Sequence, residues 1–274
     1  MAKKRSSAAA NGSSIVDGVE PGKGAAGAKT RFIVPYGPPG SLKTTACGKI
    51  GGAKWVVADQ NCIPTLDVQD LLPPDKDLYE VGDLTEATNL IRTWTDAAVE
   101  GKLRIPAVVV DSITALHDFT EQDVATDHGS SYLGENAKDN GWQDFNNRLG
   151  RFIDALGEMA RHVNVLAICH AREKADATKG DWQGLNLGPK CANKLARVAN
   201  WVLYHTIQSE SWSEGMVEGP LLWRRDTPEG ALAVHCQVHT MPTGLWLAKV
   251  NARNLDAIEP PDYGAILKKE GLIG

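Results

Sequence analysis

The residues best equipped for chemistry form one contiguous run: Gly37, Pro38, Pro39, Gly40, Ser41, Leu42, Lys43, Thr44 and Thr45. Glycines and a tight turn let successive backbone N–H groups converge on phosphate oxygens. At a helix N-terminus the dipole favours the same anion. Lys43 can reach the β- and γ-phosphates of a nucleotide, and the Thr44 hydroxyl can ligate Mg²⁺. The general pattern is Gly-x-x-x-x-Gly-Lys-Ser/Thr. Leu42 stands at its second glycine, so a side chain must fit where glycine is usual. A second candidate is Asp111, 66 residues beyond Thr45 and at the end of the apolar run Ala107-Val108-Val109-Val110. A carboxylate at the C-terminal tip of a buried strand next to the phosphate loop can hold a metal's water shell. Thr44 and Asp111 are therefore the candidate metal pair.

These residues need elements to position them. Arg31 to Tyr36 is a short apolar run that ends in a Gly-Pro turn, which predicts a buried strand, then a loop, then a helix from about Lys43 to Ile50. Further strands are expected at Trp55–Ala58, Ala107–Val110 and Asn164–Cys169, and a helix over 83–99. Over 143–162, Phe145, Leu149, Phe152, Leu156 and Met159 recur at spacings of four and three, the apolar face of an amphipathic helix. Strands alternating with helices predict an α/β fold with a mostly parallel sheet flanked by helices. From about residue 201 the pattern becomes β-rich, with strands expected at Trp201–Thr206, Ala231–Thr240 and Leu245–Val250, before a short helix around Tyr263–Glu270. Residues 171–189 read as a long Gly/Asp/Lys-rich loop.

Composition bounds the reading. A chain of 274 residues, 42% hydrophobic and 23% charged, suits one globular domain. No apolar run is long enough to span a bilayer. Five scattered cysteines without a Cys-x-x-Cys fit a reduced, cytoplasmic setting and neither a disulfide framework nor a zinc site. Residues 1–29 are rich in Ala, Gly, Ser and Lys and are expected to form a disordered basic tail, with residues 30–274 as the folded domain. The net charge is −5, yet residues 1–31 carry six Lys/Arg against two acids and residues 171–197 six against three. Any contact with a polyanion should therefore be local.

Together, the loop at 37–45 and the Asp111-Ser112 strand resemble the RecA-like branch of P-loop ATPases. Gly-Pro-Pro-Gly-Ser, Ile168-Cys169-His170, Gly188-Pro189-Lys190 and the stretch Trp246-Leu247-Ala248-Lys249 through Glu259-Pro260-Pro261-Asp262 look like phage-encoded RecA-like proteins, including the short Sak-type single-strand-annealing recombinases. The resemblance implies ATP and Mg²⁺ as cofactors and a homo-oligomer, ring or filament, with ATP between subunits. It also implies work on single-stranded DNA in recombination, in the host cytoplasm, with a single-strand-binding protein as a candidate partner and no membrane. RecA-like enzymes carry a catalytic glutamate after the second strand; here that stretch reads Ala58-Asp59-Gln60-Asn61. Asp59 or Gln60 is then the candidate group for the attacking water, and hydrolysis should be slow. The family places a γ-phosphate sensor at His170, and subunit-bridging cations at Lys249 and Arg253. It also places a DNA-contacting loop after His170. There Arg172, Lys174 and Lys179 supply charge and Trp182 a stacking face. Lys190, Lys194 and Arg197 follow on one helix face. The alternative function is a nucleotide-gated scaffold or replication accessory protein with little or no hydrolysis. A small-molecule kinase would need a mobile lid, and the sequence has no arginine-rich segment to supply one.

Overall fold

The computed structural model describes residues 30–134, 140–176 and 180–274, with 174–176 and 180–182 as backbone alone. The expected tail and Lys179 lie outside the described residues. The strands are β1 (Phe32–Gly37), β2 (Lys54–Val57), β3 (Leu78–Glu80), β4 (Ala107–Asp111), β5 (Asn164–Ala167), β6 (Cys169–Asp176), β7 (Gly180–Leu185), β8 (Trp201–Ser211), β9 (Leu222–Thr227), β10 (Gly230–His239) and β11 (Ile258–Glu259). The helices are α1 (Lys43–Gly48), α2 (Cys62–Asp67), α3 (Leu84–Val99), α4 (Ile113–Asp127), α5 (Gly141–Met159), α6 (Pro189–Val198) and α7 (Tyr263–Lys269).

The order β8-β1-β5-β4-β2-β3 forms a parallel sheet, and β10, β9 and β11 extend it antiparallel beyond β8. This is the mixed α/β architecture, mostly parallel and flanked by helices, that the alternating pattern predicts. Strand alternation divides the core in two. Phe32, Val34 and Tyr36 of β1 pack with α3, α4, α5 and α6, while Ile33 faces the other way with α1, α2 and α7. The five apolar residues expected on one face of α5 are all buried. Three helix starts, those of α3, α4 and α7, are capped by the side chain that precedes them. Asp83 accepts from Glu86 N–H at 2.7 Å, Ser112 from Ala115 N–H at 3.1 Å and Asp262 from Ala265 N–H at 2.9 Å.

Three expectations are met in different ways, and the last two need correction. First, the strand tip that carries Asp111 does lie next to the phosphate loop as expected, although β5 stands between β4 and β1. Asp111 still reaches the loop because both strands end at the same edge of the sheet. Second, residues 171–189 are not a loop. After a break at Ile168, β6 pairs with β1 (Tyr36 opposite Cys169, Gly37 opposite His170) and then turns antiparallel into β7 as a hairpin. Polar, glycine-rich composition is poor in strand propensity, but β1 anchors the root at Cys169 and His170, and beyond it the two arms pair with each other, from Ala171 opposite Leu185 to Asp176 opposite Gly180. Third, Leu245–Val250 is not a strand. Beyond Gly244, at φ +90°, it touches the sheet through isolated bridges. One of these joins Lys249 to Val202, on the stretch of β8 that β10 leaves uncovered beyond Tyr204.

Candidate nucleotide site

β1 delivers the chain to Gly37 at the C-terminal edge of the sheet, and α1 begins at Lys43. A Cβ at position 37 would lie 2.5 Å from the His205 carbonyl oxygen and 2.7 Å from Ser41 Oγ, so only glycine fits. Gly40 takes φ +77°. Leu42, in the place of the second glycine, also takes a left-handed conformation, with φ 58° and ψ 24°. For a leucine this costs about 1–2 kcal/mol, so its surroundings must hold it there. Lys43 folds back along the loop, where its ammonium donates to Gly37 O at 2.9 Å, Pro38 O at 2.8 Å and Ser41 Oγ at 3.2 Å. Burial pushes Lys43 down to about 8, against the pull of Asp111.

The Thr44 hydroxyl donates to Asp111 Oδ2 at 2.6 Å. Asp111 is 2% exposed. Burial raises its carboxyl to about 6, while hydrogen bonds from Thr44 and Cys62 oppose that rise. A hydroxyl and a carboxylate in contact, beside a buried ammonium and a glycine-bounded turn, are a donor set suited to Mg²⁺ and a polyphosphate. The cleft in front of them has a volume of about 300 Å³. Its lining includes the loop from Pro39 to Thr45, and Asp59, Asn61, Asp111 and His170.

On the far wall, Asp59 Oδ1 accepts from the backbone N–H of Asn61 at 2.9 Å and from its side-chain amide at 3.2 Å. Asp59 Oδ2 lies 3.7 Å from His170 Nε2. Burial and then the charge of Lys43 lower the His170 pKa, so the imidazole is neutral near pH 7 and this contact is not an ion pair there. Gln60 is exposed and lies outside the lining.

The remaining candidates are dispersed. Arg172 is exposed on β6, and the backbones of Lys174 and Trp182 stand opposite one another in the hairpin. On α6, Lys190 and Arg197 are exposed, but Lys194 turns into α5, donating to Gly150 O at 2.7 Å and Asp154 Oδ2 at 2.6 Å. Lys249 donates to Ala196 O, Arg197 O and Ala199 O at 3.1, 3.2 and 2.6 Å, closing the C-terminus of α6 in its own chain. Arg253 is exposed, outside the cleft lining, with its backbone N–H on Glu270.

Sequence reasoning missed Cys62 and Thr65 in the lining and the buried pair His205 and Tyr263 behind the loop. Cys62 follows directly on the stretch already singled out, but a lone cysteine gives no signal of its own.

The flagellar accessory protein FlaH from Methanocaldococcus jannaschii superposes with a TM-score of 0.38 at 10% identity, over 81% of this chain and 90% of that one. No curated protein matches. A family model described as AAA domain matches residues 29–249, which hold the loop, Asp59, Asp111 and His170. With its phosphate loop, Thr44–Asp111 pair and parallel sheet inside that match, the chain belongs to the AAA domain family of P-loop proteins.

Proposed function

We propose that this protein binds ATP with Mg²⁺ in the cleft and uses the bound state to control single-stranded DNA binding, as a phage RecA-like recombination protein that anneals or exchanges strands. The reading rests chiefly on His170, which lines the cleft and opens the β6–β7 hairpin that carries Arg172, Lys174 and Trp182. A γ-phosphate drawn towards His170 acts on the root of that hairpin. The exposed Lys190 and Arg197 on α6 extend the basic surface, whereas Lys194 is already committed to Asp154. Single-stranded DNA should then bind more tightly with ATP and Mg²⁺ than without. Its affinity should fall with salt, each phosphate contact adding about 0.7 to the log–log slope. Changing Lys174, Lys179 and Lys190 together to Ala should flatten that slope by about 2, while Trp182→Ala lowers affinity by about 1–3 kcal/mol with the slope unchanged. The assay is repeated on a chain starting near Lys29. If that truncation removes all binding while the hairpin variants keep it, the basic tail is the DNA site and the hairpin is not.

A second reading, the nucleotide-gated scaffold with little turnover, draws support from the carboxylates lining the cleft. Among the described residues these are Asp59 and the metal-facing Asp111, and no glutamate joins them. Slow hydrolysis follows on either reading. Because Asn61 lines the cleft and Gln60 does not, Asn61→Glu should raise the ATPase rate and Gln60→Glu should leave it unchanged. A brisk wild-type rate that survives Asp59→Ala would show that the catalytic group lies elsewhere.

Assembly with ATP between subunits is part of the proposal. Arg253 is the better candidate for reaching a neighbour, since the Lys249 ammonium is engaged on α6. Mixing Arg253→Ala with Lys43→Ala protein should restore some ATPase activity through mixed sites. No recovery among freely exchanging subunits would count against a shared site.

A further inference from the structure

His205 and Tyr263 are buried titratable groups that no step above uses. His205 lies on β8, the strand beside β1, and is 0% exposed. Its Nδ1 is 3.0 Å from the carbonyl oxygen of Ser41, and its Nε2 is 2.9 Å from the hydroxyl of Tyr263. Tyr263 is 0% exposed and opens α7, whose next residue, Gly264, packs against the carbonyl of Lys49 just after α1.

Hydrogen-bond accounting fixes this chain at both ends. A carbonyl oxygen only accepts, so Nδ1 carries the proton and donates to Ser41 O. Nε2 is then a lone pair, and it accepts from the Tyr263 O–H. In a trans peptide the carbonyl and the following N–H point in opposite directions. Drawing Ser41 C=O onto the imidazole therefore turns the Leu42 N–H away from β8, towards the cleft that Ser41 and Leu42 line. The same peptide leads into Leu42, the non-glycine residue held at φ 58°. Such a conformation persists only where its surroundings over-determine it.

We infer that His205, set in the Nδ1–H tautomer by the Ser41 carbonyl and steadied at Nε2 by the Tyr263 hydroxyl, is a positioning residue that clamps the Ser41–Leu42 peptide so that the Leu42 N–H donates to a nucleotide phosphate, doing for leucine what conformational freedom does for glycine. This rests on the reading of the cleft as a nucleotide site. The α7 helix thereby becomes part of the phosphate cradle, although it lies more than 200 residues away in the chain.

A double-mutant cycle on the full chain, read by calorimetry with Mg·ATP, tests the clamp. Tyr263→Phe should weaken binding about tenfold, the size of one lost hydrogen bond at the site. In a Leu42→Gly background the same change should cost less than about threefold, because glycine holds the left-handed conformation unaided. Equal losses in both backgrounds would reduce Tyr263 to ordinary packing, and no loss in either would remove its link to the cradle. Lys43→Ala run alongside keeps the two levels apart: if it leaves affinity untouched, the nucleotide reading itself falls. Should Tyr263→Phe fail to fold, ¹⁵N spectra of wild-type His205 decide. They must show a protonated Nδ1 and a bare Nε2, and the opposite tautomer would overturn the clamp.

Discussion

Replacing Lys43 with alanine is expected to lower Mg·ATP affinity by at least about 100-fold, the loss of one or two charge-assisted hydrogen bonds to phosphate. The ammonium rests on Gly37 O and Pro38 O, acceptors that phosphate oxygens would replace. A phosphate-loop lysine reads from the sequence as an exposed charge, but Lys43 is only 6% exposed, so its removal also acts on the folded loop. Alanine removes a buried charge but also takes a donor from Gly37 O and from Pro38 O, the latter keeping Ser41 Oγ at 2.8 Å, so the net change in stability should be small. Melting and calorimetry must be measured separately. The same burial gives affinity a pH dependence. With Lys43 at about 8, the charged form that phosphate needs is depleted above that pH, and affinity should fall by up to tenfold per pH unit there. Unchanged affinity in Lys43→Ala would defeat the assignment of the loop.

Asp111→Asn is expected to make the nucleotide-free protein more stable at pH 7 while abolishing the Mg²⁺ dependence of nucleotide binding. The carboxyl rises from 3.8 to about 6 in the folded state, chiefly through burial. The folded protein thus holds that proton more tightly than the unfolded chain. Its stabilising contribution is complete below about pH 4 and is lost as pH rises through about 6. At pH 7 the ionised group costs about 3 kcal/mol relative to its protonated form. An asparagine avoids that cost and can still accept from Thr44. The stability difference between variant and wild type should therefore grow between pH 4 and pH 6 and then level off, as read from urea melts in EDTA. Comparing the two proteins cancels the other carboxylates, whose titration overlaps this window. Retaining an anion at a site that would be more stable without one is the expected trade of stability for metal binding. A variant less stable than wild type at pH 7, with its Mg²⁺ response intact, would show that Asp111 is a structural carboxylate.

The amino-acid sequence by itself determined the features that are local in the chain. The phosphate loop is nine consecutive residues, and its chemistry can be read without knowing what surrounds it. Val108 to Val110, buried on both faces, announce a central strand by lacking any polar alternation. The α5 face is legible because five large apolar residues repeat at helical spacing.

What the sequence hid were elements stabilised from outside themselves. In α4, the buried Thr114 and Thr120 interrupt the apolar stripe; Thr120 donates its hydroxyl to Leu116 O at 2.6 Å, and Thr114 Oγ1 accepts from the backbone N–H of His170 at 2.9 Å. Six residues of α2 include a proline and carry too short a period to register. The β6–β7 hairpin is anchored where Cys169 and His170 pair with β1, a long-range contact that no propensity records.

The site divides along the same line. Proximity in sequence supplied Lys43 and Thr44, and a four-residue apolar strand pointed to Asp111, but only the parallel sheet sets Thr44 and Asp111 2.6 Å apart. His205 and Tyr263 carry no motif and lie 164 and 222 residues beyond Ser41 and are joined to it through one imidazole. Tertiary structure alone decided their role, because a hydrogen bond depends on where two atoms come to rest, and distant segments acquire that relation only when the sheet and α7 have packed.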